Sequence, residues 1–348
     1  MVSPVFARLS FLLRGLAGLG ACLVALGADV SYFGVIKSHQ FEQAPGQAPR
    51  LLTTNAFRFT AVVVAATNDA VTAATVKVPN AAGTLLALER TSNGLAFWYE
   101  AAFPTQAALD AAFPSQTGFL NASRYQFTLH TVHDGVKSPD VTYLLSSLPR
   151  TPAITATNLA EAQAIDATRD FTLRWDPFNG GAADIVQVLV VDGASNVWYT
   201  SPAPFTPGAL NGSATSIALP AGQLPPGRAL TGHLVIATPG LPLTTSYSGA
   251  IGVAAQLKET AFPMATLPAQ PPRLGPPQLT ARGAELPFAG ESNRVYYLLA
   301  APVVALPPDA PAPWVRLFST NSPTGSGTLI DPYAAAHTAR WYRLEVGP

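Results

Sequence analysis

The sequence has a single cysteine, Cys22, among 348 residues. It lies inside the N-terminal apolar stretch, so removal of that stretch leaves a chain without thiols. That excludes a disulfide framework, a zinc–thiolate site and a cysteine nucleophile. Charge is also scarce. Charged residues make up 11% of the chain, against about 25% in ordinary soluble domains. The 20 basic and 20 acidic residues cancel, and no run of five basic residues occurs. Nucleic-acid binding needs clustered Lys and Arg to neutralise phosphates, so no nucleic-acid partner is expected. A polybasic membrane patch is missing for the same reason.

Catalytic signatures are missing as well. The chain contains no HExxH, GxSxG, P-loop or EF-hand pattern. The Gly-rich "GLAGLG" (Gly15–Gly20) sits in the apolar N-terminus rather than after a strand, which removes it as a nucleotide fingerprint. Histidine occurs five times. His130 and His133 are three apart, and on a strand such residues face opposite ways, so they do not share a metal ion. The close carboxylate pairs Asp166/Asp170 and Asp176/Asp184 stand among turn and cap positions, where Asp serves the backbone. No catalytic residue, metal or cofactor is therefore expected, and the chain reads as a non-enzyme.

What is present is apolar and turn-rich. Hydrophobic residues reach 48%, enough for a sizeable core. Proline numbers 33, about twice ordinary usage. Residues 1–28 read as a signal peptide: Arg8 and Arg14 precede an apolar run from Leu16 to Ala28, too short to span a bilayer. Ala25 and Gly27 supply small residues for a cut after Gly27, with a cut after Ala28 as the alternative. "LGAC" offers only a faint lipoprotein box at Cys22. The expected location is secreted, at the cell surface or periplasmic, with no membrane span once the leader is gone.

Beyond Asp29 there is almost no 3.6-residue periodicity. Short alternating runs are separated by Gly, Pro, Asn and Ser. In "RYQFTLHTV", Tyr125, Phe127 and Leu129 share a face, opposite Gln126, Thr128 and His130. "AFRFTAVVV" puts Phe57 and Phe59 inward, and "DFTLRW" does the same with Phe171, Leu173 and Trp175. "DIVQVLVVD" is apolar on both faces, the pattern of a central strand. Two short helices are expected. One is capped by Thr105 and ends near Phe113 before Pro114; the other is capped by Asn158 with Glu161 three residues on.

The fold class is thus all-β: two to three tandem antiparallel β-sandwich units with two short helices. Proline clusters place the boundaries, giving units 29–150 and 151–267, a Pro-rich linker 268–276 and a small β unit 277–348. No fixed-period repeat links the units.

"FTLRWDPFNGGAADIVQVLVVD" resembles the B–C region of fibronectin type III modules, with Trp175 as the core indole and Asn179–Gly181 as the turn. "YFGVIKSHQFEQ", "PTQAALDAAFP", "NLAEAQAIDATRDFTLRWDPFNGG" and "FAGESNRVYYLLA…W…DP…RWYRL" resemble secreted multi-sandwich proteins of Verrucomicrobia-like bacteria. That resemblance implies location and fold rather than chemistry. This chain departs from it by inserting "PVVALPPDAPAP" before Trp314.

Adjacent aromatics recur at Phe97-Trp98-Tyr99, Trp198-Tyr199, Tyr296-Tyr297 and Trp341-Tyr342. Period-two alternation forbids both members of a pair from facing the core. Trp98, Trp198, Tyr296 and Trp341 are the expected outward rings, and Trp175, Tyr125, Phe127 and Tyr342 the expected core. Outward rings serve polysaccharide stacking or a surface-protein partner. The functional expectation is a secreted binding or adhesion protein. The alternatives are a subunit of an envelope layer or filament, and an accessory module of a carbohydrate-active system.

Overall fold

The computed structural model describes residues 28–80, 82–115, 123–143, 150–204, 206–240, 246–269, 271–290, 294–302 and 314–347. Residues 1–27, which hold nearly all of the expected signal peptide 1–28, and nearly all of the 302–313 insertion lie outside them. No helix among the described residues is long and apolar enough to cross a membrane. The chain divides into two compact units, Met1–Thr266 and Leu267–Pro348.

The first unit begins with β1 (Val30–Glu42), β2 (Arg50–Leu51), β3 (Phe57–Ala65), β4 (Val71–Lys77), β5 (Leu85–Ala87), β6 (Glu89–Arg90) and β7 (Ala96–Phe103). Helix α1 (Gln106–Ala112) follows, then β8 (Ser123–Thr131), β9 (Val136–Lys137), β10 (Asp140–Tyr143) and helix α2 (Ala156–Glu161). It ends with β11 (Phe171–Arg174), β12 (Ile185–Asp192), β13 (Val197–Thr200), β14 (Leu210–Asn211), β15 (Ser216–Leu219), β16 (Ala229–Pro239) and β17 (Ile251–Ala265).

One ten-stranded sheet runs through this unit in the order β13-β12-β16-β17-β1-β3-β7-β6, with β14 and β2 at its margins. Two smaller sheets, β10-β8-β4-β5 with β9 and β11-β15, complete it. Strands from both sides of the expected 150/151 boundary therefore share the large sheet. β1 pairs parallel with β17 from Tyr32↔Ile251 to Glu42↔Ala261, splicing the two stretches. The rest of the sheet is antiparallel. The proline-containing segment after Arg150 is strapped down rather than free. Gln43, just past β1, donates to the Ile154 carbonyl at 2.9 Å and accepts from its N–H at 2.8 Å. The Thr260 hydroxyl holds the Pro152 carbonyl.

Alternation determines the cores. Phe33, Val35, Phe59, Phe97, Tyr125, Phe127 and Leu129 belong to one buried cluster. Trp175, Leu173, Val186, Val188, Val190 and Phe262 form a second, around α2 and the β11-β15 pair. Tyr32, Ile36, Val62, Val235, Val253 and Leu257 form a third, from residues of opposite parity on the same strands. β12 thus contributes to two clusters, Val188 to one and Ile185 to another, as its doubly apolar sequence requires. At the splice Gly34 is obligatory in volume, because a Cβ there would lie 2.1 Å from the Val253 carbonyl oxygen.

The helices match expectation in place. Thr105 caps α1 by accepting from the Ala108 N–H at 3.1 Å, and Phe113 ends the helix before Pro114. In α2 the expected cap is corrected. Thr155 occupies the N-cap, while Asn158 is buried inside the helix. Its amide accepts from the Arg174 N–H at 2.7 Å and donates to the Thr172 carbonyl at 2.9 Å. Docking to the edge of β11 has displaced the capping role.

The second unit contains β18 (Arg273–Leu274), β19 (Gln278–Thr280), β20 (Gly283–Ala289), β21 (Arg294–Ala301), β22 (Val315–Ser322), β23 (Ser326–Asp331) and β24 (Trp341–Val346). A sheet of β18-β20-β19 with β23 and a sheet β22-β21-β24 enclose Leu286, Phe288, Tyr296, Leu298 and Leu344. Within the expected linker, Arg273–Leu274 pairs with β20 and so belongs to this unit.

Candidate functional site

The sheet β22-β21-β24 has one face on the core and one face outward. Leu298 pairs with Leu344 and Tyr296 with Val346, so even-numbered residues of β21 point inward. Tyr296 is fully buried and packs against Phe288 at a centroid distance of 5.1 Å. The expectation of an outward Tyr296 is thereby corrected. β21 reads apolar on both parities, so alternation leaves the choice of face open, and the pairing with Leu344 decides it. The outward ring of that pair is Tyr297.

Tyr297 is half-buried beneath the Arg316 guanidinium, which lies 3.7 Å from the ring centroid. This is close cation–π stacking across β21 and β22. On the other flank β24 presents Trp341, 53% exposed, and the exposed Arg343. Register places Glu345 opposite Tyr297, Arg343 opposite Leu299 and Trp341 opposite Ala301, all on the outward face. Arg343 and Glu345 form an exposed ion pair at 3.1 Å, worth at most about 1 kcal/mol. The face therefore joins an open indole, a phenol–guanidinium stack and a second arginine. Trp, Tyr and Arg are the residue types that dominate contact energetics elsewhere.

Beneath this face Tyr342 turns inward, half-buried, and donates to Asp331 Oδ2 at 2.9 Å. Arg340 pairs with the same buried oxygen at 3.1 Å, although its N–H does not point along a hydrogen-bond line. Burial first, then the Asp331 carboxylate, push the Tyr342 hydroxyl up to about 12. Tyr342 thus anchors β24 while its neighbour Trp341 stays outward.

The other expected rings lie in the first unit. Trp198 is 39% exposed. β12–β13 pairing steps from Tyr199↔Val190 to Val197↔Val191, leaving Trp198 in a bulge that turns it out. Its indole N–H reaches Asp192 Oδ2 at 3.2 Å. The same carboxylate accepts from the Asn196 side chain and from the Asn196 and Ala194 backbones. Those bonds, led by Asn196, hold Asp192 below the usual carboxylate range. Trp98 lies opposite Val62 and is half-buried and already partnered, so it presents less free surface. Trp175, Tyr125 and Phe127 are buried, and the Trp175 N–H donates to the Ala214 carbonyl at 2.7 Å.

Three of the four carboxylates considered for chemistry accept hydrogen bonds from backbone N–H groups, and the fourth, Asp176, is exposed. Asp166 accepts from the Thr168 N–H and hydroxyl, Asp170 from the Ala221 N–H, and Asp184 from the Gly181 N–H and Thr238 hydroxyl. No group of three His, Cys, Asp or Glu suited to a metal ion occurs among the described residues. His133 bonds Asp29 at 2.7 Å, and Asp29 also accepts the His133 and Asp134 N–H groups. Burial alone would raise Asp29; these bonds outweigh it and bring its pKa down to about 2. Lys37 is buried and donates to Asp110 at 2.6 Å and to Ser115 Oγ at 3.0 Å. Burial holds its amine below the ordinary value, partly offset by Asp110. An amine bonded this closely to a carboxylate acts as a cation rather than as a base for Ser115.

No family model and no curated protein matches the chain. Among solved structures, the chain is similar to the FN1–FN3 domains of chicken CNTN1, at 9% identity and a TM-score of 0.19, covering 91% of this chain and 93% of that one. It is similar to a tetra-tandem repeat from the extending region of a large adhesion protein, at 10% identity and a TM-score of 0.20, covering 90% and 74%. Fibronectin(III)-like modules of Clostridium thermocellum CbhA align at 10% identity and a TM-score of 0.20, covering 66% and 90%.

Proposed function

We propose that the protein is a secreted, non-enzymatic binding protein that contacts extracellular polysaccharide through exposed aromatic rings. The observation that carries this reading is the outward face of β22-β21-β24, which presents the open Trp341 on the same side as the Tyr297–Arg316 stack, four residues away along β21. An exposed indole offers a flat apolar surface to a sugar ring, and flanking Arg and Glu side chains supply hydrogen bonds to its hydroxyls. Trp198, tethered by Asp192, is a second ring of the same kind. The apolar N-terminal run and the low-charge, proline-rich composition support export.

The test is a polysaccharide and cell-surface panel with wild type, Trp341→Ala and Trp198→Ala. Wild type is expected to be retained on at least one polysaccharide, and Trp341→Ala to lose most of that retention. Equal retention of all three proteins, or retention only on a surface protein, overturns the polysaccharide reading.

A further inference from the structure

A groove of 830 Å³ opens on the outer side of the sheet β10-β8-β4-β5, remote in sequence from the aromatic face. Its floor follows from strand register. Lys77 on β4 stands opposite Gln126 on β8, and Gln126 stands opposite Asp140 on β10. Their neighbours Val76, Phe127 and Val141 are buried, so this row points outward. Arg124 lies two residues from Gln126 on the same side of β8, which sets it about 7–8 Å diagonally from Lys77. Asn80 and Ser138 add polar groups to the wall.

The charges are unevenly satisfied. Arg124 meets Asp140 at 3.3 Å, an exposed and long pair that a better acceptor can displace. Lys77 has no salt bridge among the described residues. Its stem packs beside Gly83, where a Cβ would come within 3.2 Å of Lys77 Cε. Gly83 takes φ +57°, so glycine serves both the turn and the seat of the lysine. Lys77 and Arg124 against Asp140 leave the groove one positive charge. A monoanion matches that balance, whereas Asp140 repels a dianion. The guanidinium fork fits a planar carboxylate, and the Gln126 and Ser138 side chains both donate and accept, as sugar hydroxyls do, while the Asn80 amide is held by Thr84. No aromatic ring lines the groove among the described residues.

We propose that this groove is a second binding site, taking a uronic acid residue of an acidic saccharide, with Lys77 and Arg124 on its carboxylate. The site is independent of the aromatic face. The test uses calorimetric titration of the full chain with a galacturonic acid oligomer, and with the neutral galactose oligomer of equal length. The acidic oligomer is expected to bind at least tenfold more tightly than the neutral one, with affinity falling as salt rises. Lys77→Ala and Arg124→Ala are each expected to weaken it about tenfold, while Trp341→Ala leaves it within twofold. Equal binding of both oligomers, no binding of the acidic one at low salt, or unchanged affinity in both charge variants overturns the proposal. A loss confined to Trp341→Ala overturns it too, by moving the acid to the aromatic face.

Discussion

Gly34→Ala probes the splice between β1 and β17. The added methyl would sit 2.1 Å from the Val253 carbonyl oxygen and 2.6 Å from the Tyr32 hydroxyl. Tyr32 is fully buried and has little room to swing away. Val253 O belongs to the neighbouring backbone, so relief requires the strands to separate by about 1 Å. Overpacking of this kind costs about 1–3 kcal/mol, and each weakened ladder hydrogen bond adds about 1 kcal/mol. The expected destabilisation is about 2–4 kcal/mol, or roughly 5–15 °C in Tm for a unit of this size. Gly193→Ala is the control, because nothing lies within 4 Å of a Cβ there; it should stay within about 0.5 kcal/mol. Thermal melting by circular dichroism reads the loss, and amide exchange should show β1 and β17 losing protection together. A Gly34→Ala protein that melts with wild type and keeps protection in both strands would refute the continuous sheet.

Three further outcomes follow from the same contacts. Trp175→Ala removes a buried indole and should cost about 3–5 kcal/mol in urea unfolding, whereas Trp175→Phe, which keeps an aromatic ring but strands the Ala214 carbonyl and leaves a smaller cavity, should cost less, about 1–3 kcal/mol. Asp110→Ala leaves the Lys37 ammonium buried with Ser115 alone. A wholly buried pair broken on one side costs about 3–5 kcal/mol; Asp110 is 40% exposed, so about 1–3 kcal/mol is expected, and Asp110→Leu combined with Lys37→Met should recover some of it. For pH, Asp29 is depressed from 3.8 to about 2, so its contribution is complete above 3.8 and is lost as pH falls towards 2. His133 is raised by Asp29, so its contribution is complete below 6.5 and is lost as pH rises through the higher folded value. Asp29→Asn should flatten both limbs of the urea-midpoint profile.

Much of the fold was legible because alternation is a local property. Tyr125, Phe127 and Leu129 are buried as their spacing requires, and the doubly apolar β12 serves two clusters. The splice was not legible. Pairing of β1 with β17 joins residues more than two hundred positions apart, and no local pattern encodes a partner. Proline near Arg150 suggested a boundary, yet Gln43 and Thr260 fasten that segment to the sheet through backbone groups that the sequence does not mark. Asn158 had the chemistry of a cap and found a better use on β11. At the candidate site, alternation required one outward ring per aromatic pair but did not say which. Trp341 and Trp198 are the open members of their pairs, whereas the expected Tyr296 is the buried member of its pair and Tyr297 the outward one. Arg316 went unseen because its partner Tyr297 lies nineteen residues back, across the insertion. The Lys77–Arg124 groove had no sequence signal, since three strands must be placed in register before its charges meet.

The most direct test of the binding account is radical footprinting of the full chain with and without the polysaccharide that retains it. Trp341 and Tyr297 should become protected together at saturating ligand, while the half-buried Trp98 and the buried Trp175 keep their labelling. Unchanged labelling of Trp341 under full retention would contradict the claim that this face makes the contact.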